Sequence, residues 1–455
     1  MEEYTMKEFT NSRNPILPLE HHVPDSEAHV FSDGKLYLYG SYDKPGYFFC
    51  SQEYHVVSTP DLKHWTVHDV SFTSDQAPWP DDPNAPKYKG LDHDHPSAFM
   101  LKSRNRPRKP SQDVPKFDPS VKMPTLLFAP DAIEKDGKYY LYFCMTDQSE
   151  GVAVSDKPEG PFHDPVQLPC GGIDPAIFID DDGQAYYYWG QFWSHGVKLN
   201  PDMVSFDPAT AVDNLVTEEE HFFHEGSSMR KIGDTYYYVY ADMERGKPTS
   251  LGYATSKSPL GPFEYQGIIV DNDGCDPESW NNHGSIECVN GQWYVFYHRS
   301  TRGTQKFRRL CAEKLTITPE GKILEAKMTS QGLGEPFAPG ETIMGYQACG
   351  LTGTCYIDAD EECGEKLTSI ASGDTAVFRY VKSDAPWTKI ALKVRGSGRI
   401  TVLMNGQDAG TVSVSGVPGK TVEAQAEITA PVGEYELMLR FDQSEELELL
   451  DVTLA

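Results

Sequence analysis

The chain has 455 residues, 39% of them hydrophobic and 12% aromatic, which is the composition of a folded protein and a length that calls for two domains. Its 68 acidic against 40 basic side chains leave a net charge of −28, which argues against nucleic acid and anionic membrane as partners and for neutral or cationic ligands. No apolar run reaches membrane-spanning length, and "MEEYTMKEFTNSRNP" has neither the basic nor the apolar region of a secretory leader, so the expectation is a cytoplasmic protein with its nine scattered cysteines reduced.

In chain order, the first element is the hairpin "HVFSDGKLYLYGS", turning at Gly34 and followed by a second strand pair, "YHVVSTPDLKHW". A D-G, G-D or N-G turn between strands rich in Tyr, Val and Leu is the strongest short-range hairpin signal, because Gly and Asn tolerate the positive φ that such turns need. A polar, Pro-rich insertion then runs from "QAPWPDDPNAP" to "FDPSVKMP", read as an extended loop over one face. Its "LDHDHP" (Asp92 to His95) lacks a second ligand group at helical spacing, and is read as solvated loop with a sugar contact as the lesser option.

The hairpin returns four times, in "AIEKDGKYYLYFC", "IFIDDDGQAYYYWG", "MRKIGDTYYYVYA" and "IECVNGQWYVFYH", turning at Gly137, Gly183, Gly233 and Gly291. The later spacings match propeller blades, roughly 40–50 residues. A second strand pair follows each hairpin, clear in "GVAVSDKPEGPF" and "LGYATSKSPLGPF" and weaker in "HGVKLNPDMVSF" and "CAEKLTITPEGK". Two hairpins per unit and five units predict an all-β chain: a five-bladed β-propeller over residues 1–340 with four strands per blade. From about Tyr346 the repeat ends, and "AVFRYV", "KIALKV", "RITVLMNG" and "YELMLRF" predict a smaller antiparallel β-sandwich over 341–455.

A polar residue stands just upstream of each first hairpin: Asp25 in "PDSEAHV", Asp131 in "APDAI", Asp174 in "GIDPAIF", Glu225 in "HEGSSM" and His283 in "NHGSI". The first strand of a blade lines the central channel, so one end of five such strands converges on one funnel mouth. Any one of these residues alone reads as turn chemistry. Four acids in five equivalent slots do not, because crowded carboxylates repel and raise one another's pKa. One raised carboxyl beside one ionised carboxylate is what glycoside hydrolysis uses; coordination of a hard cation is the other use, although Ca²⁺ wants more oxygen ligands than this ring clearly offers.

At these residues the chain resembles glycoside hydrolase family 43, over most of residues 14 to 335, through "NPILPLEHHVPDSEAHVF", "FAPDAIEKDGKYYLYF", "GGIDPAIFIDDDGQAYYYWG", "HEGSSMRKIGDTYYYVY" and "NHGSIECVNGQWYVFYHR". The resemblance implies an inverting five-bladed propeller with Asp25 as general base, Glu225 as general acid and Asp174 as the aspartate that orients the acid and tunes its pKa. His283 matches the family histidine deep in the channel, near which some members hold a calcium ion or water, so a structural Ca²⁺ there is admitted while no cofactor is required. Ser26 follows the proposed base where the family has proline, and Asp25 is preferred to Glu27, which lies on the same face but deeper. The C-terminal domain resembles the carbohydrate-binding modules appended to this family.

Substrate contacts are expected from His283, Asp131, Arg299 at the end of "FYHRS", and Trp189 and Trp280. These two tryptophans are chosen among Trp79, Trp189, Phe192, Trp193 and Trp280 because they neighbour blade openings and a sugar's C–H face suits an aromatic ring. For Arg299 the alternative is a pair with a neighbouring acid. Cys144 and Cys288 read as core thiols. The functional expectation is an exo-glycosidase releasing a terminal α-L-arabinofuranosyl or β-D-xylosyl residue from plant-derived oligosaccharides, the pentose preference coming from the resemblance. The alternatives are a galactose-specific member of the same family and a glycan-binding propeller without activity. The intact acid and base slots favour the enzyme. A retaining fructosidase is disfavoured because no W-x-N-D-P-N-G motif stands near the N-terminus.

Overall fold

A computed structural model describes residues 6–44, 49–89, 124–275, 281–302, 307–360, 362 and 364–455. Their regular structure is almost wholly strand, with one four-residue helix, Glu218–His221, among the described residues. No helix there is long and apolar enough to cross a membrane.

Five antiparallel sheets make the propeller, and their innermost strands are Glu27–Val30, Asp131–Lys135, Ala176–Ile179, Phe223–Ile232 and Ser285–Val289. Each opens one of the five sequence hairpins. Their turn glycines, Gly34, Gly137, Gly183, Gly233 and Gly291, all have φ between 59° and 83°, and a Cβ at any of them would meet nothing within 4 Å. Backbone conformation rather than space therefore selects glycine. The tyrosines of the second strands face alternately into the two gaps beside each blade: Tyr142 meets Tyr187 at 5.3 Å, and Tyr188 meets Tyr238 edge-on at 5.4 Å. The cores of the propeller thus lie between blades, as large apolar faces require.

Two blades depart from the expected four strands. The first gains the strand Lys7–Thr10 at its outer edge, giving five. The fifth has three, ending at Arg309–Lys314. There the N-terminal segment closes the ring: Ile16 N–H donates to Leu310 O at 2.9 Å, and the Asn14 side chain bonds Ala312 on both its backbone groups. A parallel bridge between Ser26 and Gly284 joins the first and fifth inner strands and sets Asp25 level with His283.

The C-terminal domain is one curled nine-stranded sheet, built on the long strands Trp387–Met404 and Gly433–Leu454. Register shifts along that pair, at Lys393/Val394, Arg395/Ser397 and Arg399/Ile400, bend the sheet over itself. Its apolar interior is continuous with the flank of the fourth and fifth blades: Tyr237, Tyr253, Val295 and Tyr297 belong to the same cluster as Leu351, Phe378 and Trp387. The eight described cysteines are free thiols, most of them buried.

Candidate active site

Asp25 and Asp174 stand two residues before the inner strands of their blades, and both have φ of 56°. A non-glycine residue in the left-handed region is strained, and its repetition at equivalent points of two blades aims both carboxyls at one place. Glu225 reaches the same place by another device. It lies on its strand next to a register shift between Glu225 and Ser228, with Gly226 at φ 78°. Such bulges re-aim side chains. A Cβ on Gly226 would stand 2.9 Å from the His283 ring, so glycine here permits a close approach.

His283 sits among the three, its Nδ1 3.9 Å from Asp25 and 3.7 Å from Asp174. Burial holds its pKa below the ordinary value, while Asp25 and Glu225 pull it up. Asp25 is nearly sealed from solvent, which alone would raise its pKa. The Arg308 guanidinium overrides this, its Nη1 lying 2.8 and 2.9 Å from the two carboxylate oxygens. Together with His298 at 3.3 Å and with His283, it brings Asp25 down to about 2. Arg308 is itself fixed by Asp43 through Nε at 3.0 Å and Nη2 at 2.8 Å.

Asp174 goes the other way. Burial, then the neighbouring Glu225 and Asp25, push it well above the carboxylate range against the Gly226 amide and Arg308. Its backbone N–H donates to Cys144 Sγ at 3.3 Å, so that core thiol lies under the site. Glu225 accepts from Gln191 Nε2 at 2.5 Å and has His224 Nε2 at 3.7 Å. The site therefore holds a carboxylate kept low by Arg308, a carboxyl pushed up by burial, and a third acid, Glu225, beside the second. That set can deprotonate water on one side and protonate a leaving oxygen on the other.

Gln191 also opens a groove of about 500 Å³ lined by Tyr88, Trp189, Trp193, Phe206 and Asn214. Trp189 forms its wall, with its ring faces taken by Tyr187 and His195. Trp79 is core, packed on Phe143 and bonded to Ser149, and Phe192 is buried against His224. Trp280 and the Asp92 to His95 stretch lie outside the described residues.

Two expected substrate contacts lie elsewhere. Asp131 pairs across its hairpin with Tyr142 as Glu27 does with Tyr39 and Ala176 with Tyr188. It is therefore equivalent to Glu27 and one level deeper than Asp25 and Asp174. There it bonds His29 Nε2 at 2.7 Å and the amide of Ile177 at 2.7 Å. Arg299 points away from the channel and donates to the carbonyls of Tyr346 and Ala348 beneath the C-terminal domain. Strand alternation explains this: its neighbour His298 is the residue that faces Asp25. Arg308 and Gln191 were not anticipated; the only sequence signal for Arg308 is a pair of arginines opening a strand, in "KFRRL".

Among the described residues, His283 does not belong to a set of donors close enough to share a cation. Among the described residues that set is Glu27, His29 and Asp131. A cation already stands against it: Arg230 Nη1 lies 2.9 Å from Glu27, while its Nε lies 3.3 Å from the neighbouring Glu287. A guanidinium within the ring, and too few free oxygens, make these residues a poor fit to calcium.

The description "Glycosyl hydrolases family 43" belongs to the family model that matches residues 107–323. A xylosidase/arabinosidase of Thermoclostridium stercorarium is 30% identical over 514 aligned positions, covering 97% of this chain and 98% of that protein. A xylosidase/arabinosidase of Bacteroides ovatus is 28% identical, covering 67% and 94%. Among solved structures, a β-xylosidase/α-arabinofuranosidase from a compost microbial metagenome, with xylotriose and in calcium-free form, superposes with a TM-score of 0.53 at 27% identity, over 70% of this chain and 99% of its own. The arabinoxylan arabinofuranohydrolase of Bacillus subtilis, with cellotetraose, has a TM-score of 0.53 at 22% identity and covers 97% of each chain, which extends the likeness of fold to the C-terminal domain.

Proposed function

The chain belongs to glycoside hydrolase family 43, and from that premise we propose that it is an inverting exo-glycosidase that removes a terminal pentose, α-L-arabinofuranosyl or β-D-xylosyl, from plant-derived oligosaccharides. The observation that carries the reading is the division of labour at the funnel mouth. Asp25 is held ionised by Arg308, while Asp174 keeps a proton beside Glu225. In this proposal Asp25 takes a proton from water as the water attacks the anomeric carbon. Glu225 gives a proton to the departing oxygen, and Asp174 keeps negative charge from accumulating beside it. The groove beyond Gln191 receives the rest of the oligosaccharide. The pentose is supported by the names of the relatives, and no step is routed through a metal.

The test is a panel of nitrophenyl α-L-arabinofuranoside, β-D-xyloside and galactosides, with proton NMR of the first-formed anomer. Hydrolysis of a pentoside with inversion supports the reading. Hydrolysis of galactosides alone moves the specificity. Retention of configuration overturns the mechanism, and oligosaccharide binding without any hydrolysis leaves a glycan-binding propeller.

A further inference from the structure

Arg308 and Arg309 are consecutive and point to opposite sides. Arg308 faces the channel mouth and grips Asp25 and Asp43. Arg309 faces the C-terminal domain. It is buried, and its guanidinium donates to Glu365 of the strand Gly364–Thr368 and, at 3.2 Å, to the backbone carbonyl of His21. His21 begins "HHVPD", the segment that delivers Asp25 in its left-handed conformation. One guanidinium thus ties together the strand that directly follows the arginine holding Asp25, the segment leading into Asp25, and a carboxylate from the second domain. Glu365 is itself buried, so both charges depend on each other. The Arg302 amide, which donates to Ile357 O at 2.6 Å, fastens the same edge to the same domain.

We propose that Glu365 is a positioning residue for Asp25, acting through Arg309, so that the C-terminal domain is a working part of the catalytic centre. This rests on the reading of Asp25 as the base. With Glu365 removed, Arg309 is a buried cation without its counter-charge and shifts to find solvent. The His21 carbonyl and Arg308, which directly precedes the strand Arg309–Lys314, go with it, and the contact of Nη1 with both oxygens of Asp25 loosens. The groups that face Asp25 are Arg308, His298, His283 and Asp174, with Asp43 and Cys50 on the far side of Arg308. Only Arg308 is tied to Arg309 by adjacency, so loosening it leaves burial, which raises the Asp25 carboxyl, less opposed.

The experiment uses the full chain, with Glu365→Gln and the double variant Arg309→Met/Glu365→Met. The double variant removes both buried charges together and so keeps the fold accessible if the single variant fails to fold. The readout is kcat/KM on the nitrophenyl pentoside at pH 6 and pH 3. The parent should give nearly equal values. Either folded variant should lose about tenfold at pH 6, the scale expected for sub-ångström misplacement of a catalytic group. Its acid limb should also rise by about one pH unit, and azide should recover part of its activity, as expected for a weakened base. A folded variant with the parent's pH ratio overturns the proposal, whether its activity is full or uniformly reduced by loss of active molecules. If the parent cleaves no substrate, or Asp25→Ala is as active as the parent, it is the reading of Asp25 that fails.

Discussion

Asp25 and Glu27 stand on one chain segment with a single residue between them, yet they belong to two levels of the channel with different fates. At the upper level Asp25, Asp174, Glu225 and His283 converge. Their cation, Arg308, is committed to Asp25 and braced by Asp43, and it only partly offsets the burial and the neighbouring Glu225 that push Asp174 up. At the lower level Glu27, Asp131, Glu287 and His29 surround Arg230, which bonds Glu27 and also donates to the carbonyls of Ala28 and Met229. Burial pushes Glu27 and Asp131 up to about 7 against the pull of Arg230. The lower set is closed by its own hydrogen bonds, whereas the upper set is unevenly neutralised. Clustered acids and a histidine do not by themselves mark an active site; the placement of the compensating arginine separates a structural plug from a site prepared for proton transfer.

The largest effect that would separate the two levels is on catalysis. Asp25→Ala should lower kcat/KM by about 10²–10⁴ on natural oligosaccharides and dinitrophenyl glycosides alike, because every substrate needs the activated water. Glu27→Gln should stay within a few-fold of the parent in the same assay. Equal losses would merge the two levels into one site.

Stability should divide them the other way. Arg230→Met strands the lower carboxylates without a counter-charge and is expected to cost about 3–5 kcal/mol in urea unfolding. The folded remainder should keep near-normal KM. A stable but inactive Arg230→Met protein would show that the lower level takes part in the reaction.

Arg308→Lys keeps the charge but loses the Nε/Nη2 fork on Asp43 that aims Nη1 at both oxygens of Asp25. Asp25 should drift up from about 2 toward the ordinary carboxylate value, and the acid limb of kcat/KM should follow it upward. An acid limb that stays in place would remove Arg308 from the control of the base.

The smallest effect is on the melting temperature. Glu27, Asp131 and Asp242 are raised to about 7, and Glu150 and Glu313 to about 8, in each case with burial as the largest cause. Between roughly pH 4.5 and 8 the folded chain holds protons that the unfolded chain has released, so stability falls as pH rises. Tm should drop by a few degrees from pH 5.5 to 8.5. Asp25, being depressed, acts in the opposite sense: its contribution is present above about pH 4 and is lost as pH falls toward 2. A Tm that climbs from pH 5.5 to 8.5 would mean that these buried carboxyls are ionised in the folded protein.

The repeated hairpins and the convergence of Asp25, Asp174, Glu225 and His283 were legible because each rests on a local signal: a glycine turn, or an acid at a fixed offset before a strand. What was not legible depends on register or distance. Asp131 lines up with Asp174 by motif, "PDAI" against "DPAI". Its hairpin closes with two residues, Asp136 and Gly137, where that of Asp174 needs five, and cross-strand pairing places it a level lower. Arg299 and His298 differ by one position, which reverses the face of a strand. Arg308 meets Asp25 across 283 residues of chain, through ring closure that no local pattern announces. The three-stranded fifth blade was missed because the partner of its last strand comes from the N-terminus.

The central claim is that Glu225 is the proton donor of the upper level, and the dependence of Glu225→Ala on its leaving group tests it most directly. A good leaving group departs without a proton, so the need for a general acid rises with the basicity of the departing oxygen. Measured as kcat/KM, Glu225→Ala should be nearly inactive on natural oligosaccharides and keep much of the parent's activity on a dinitrophenyl pentoside. Equal loss on both substrates would contradict the account and move the acid to Asp174.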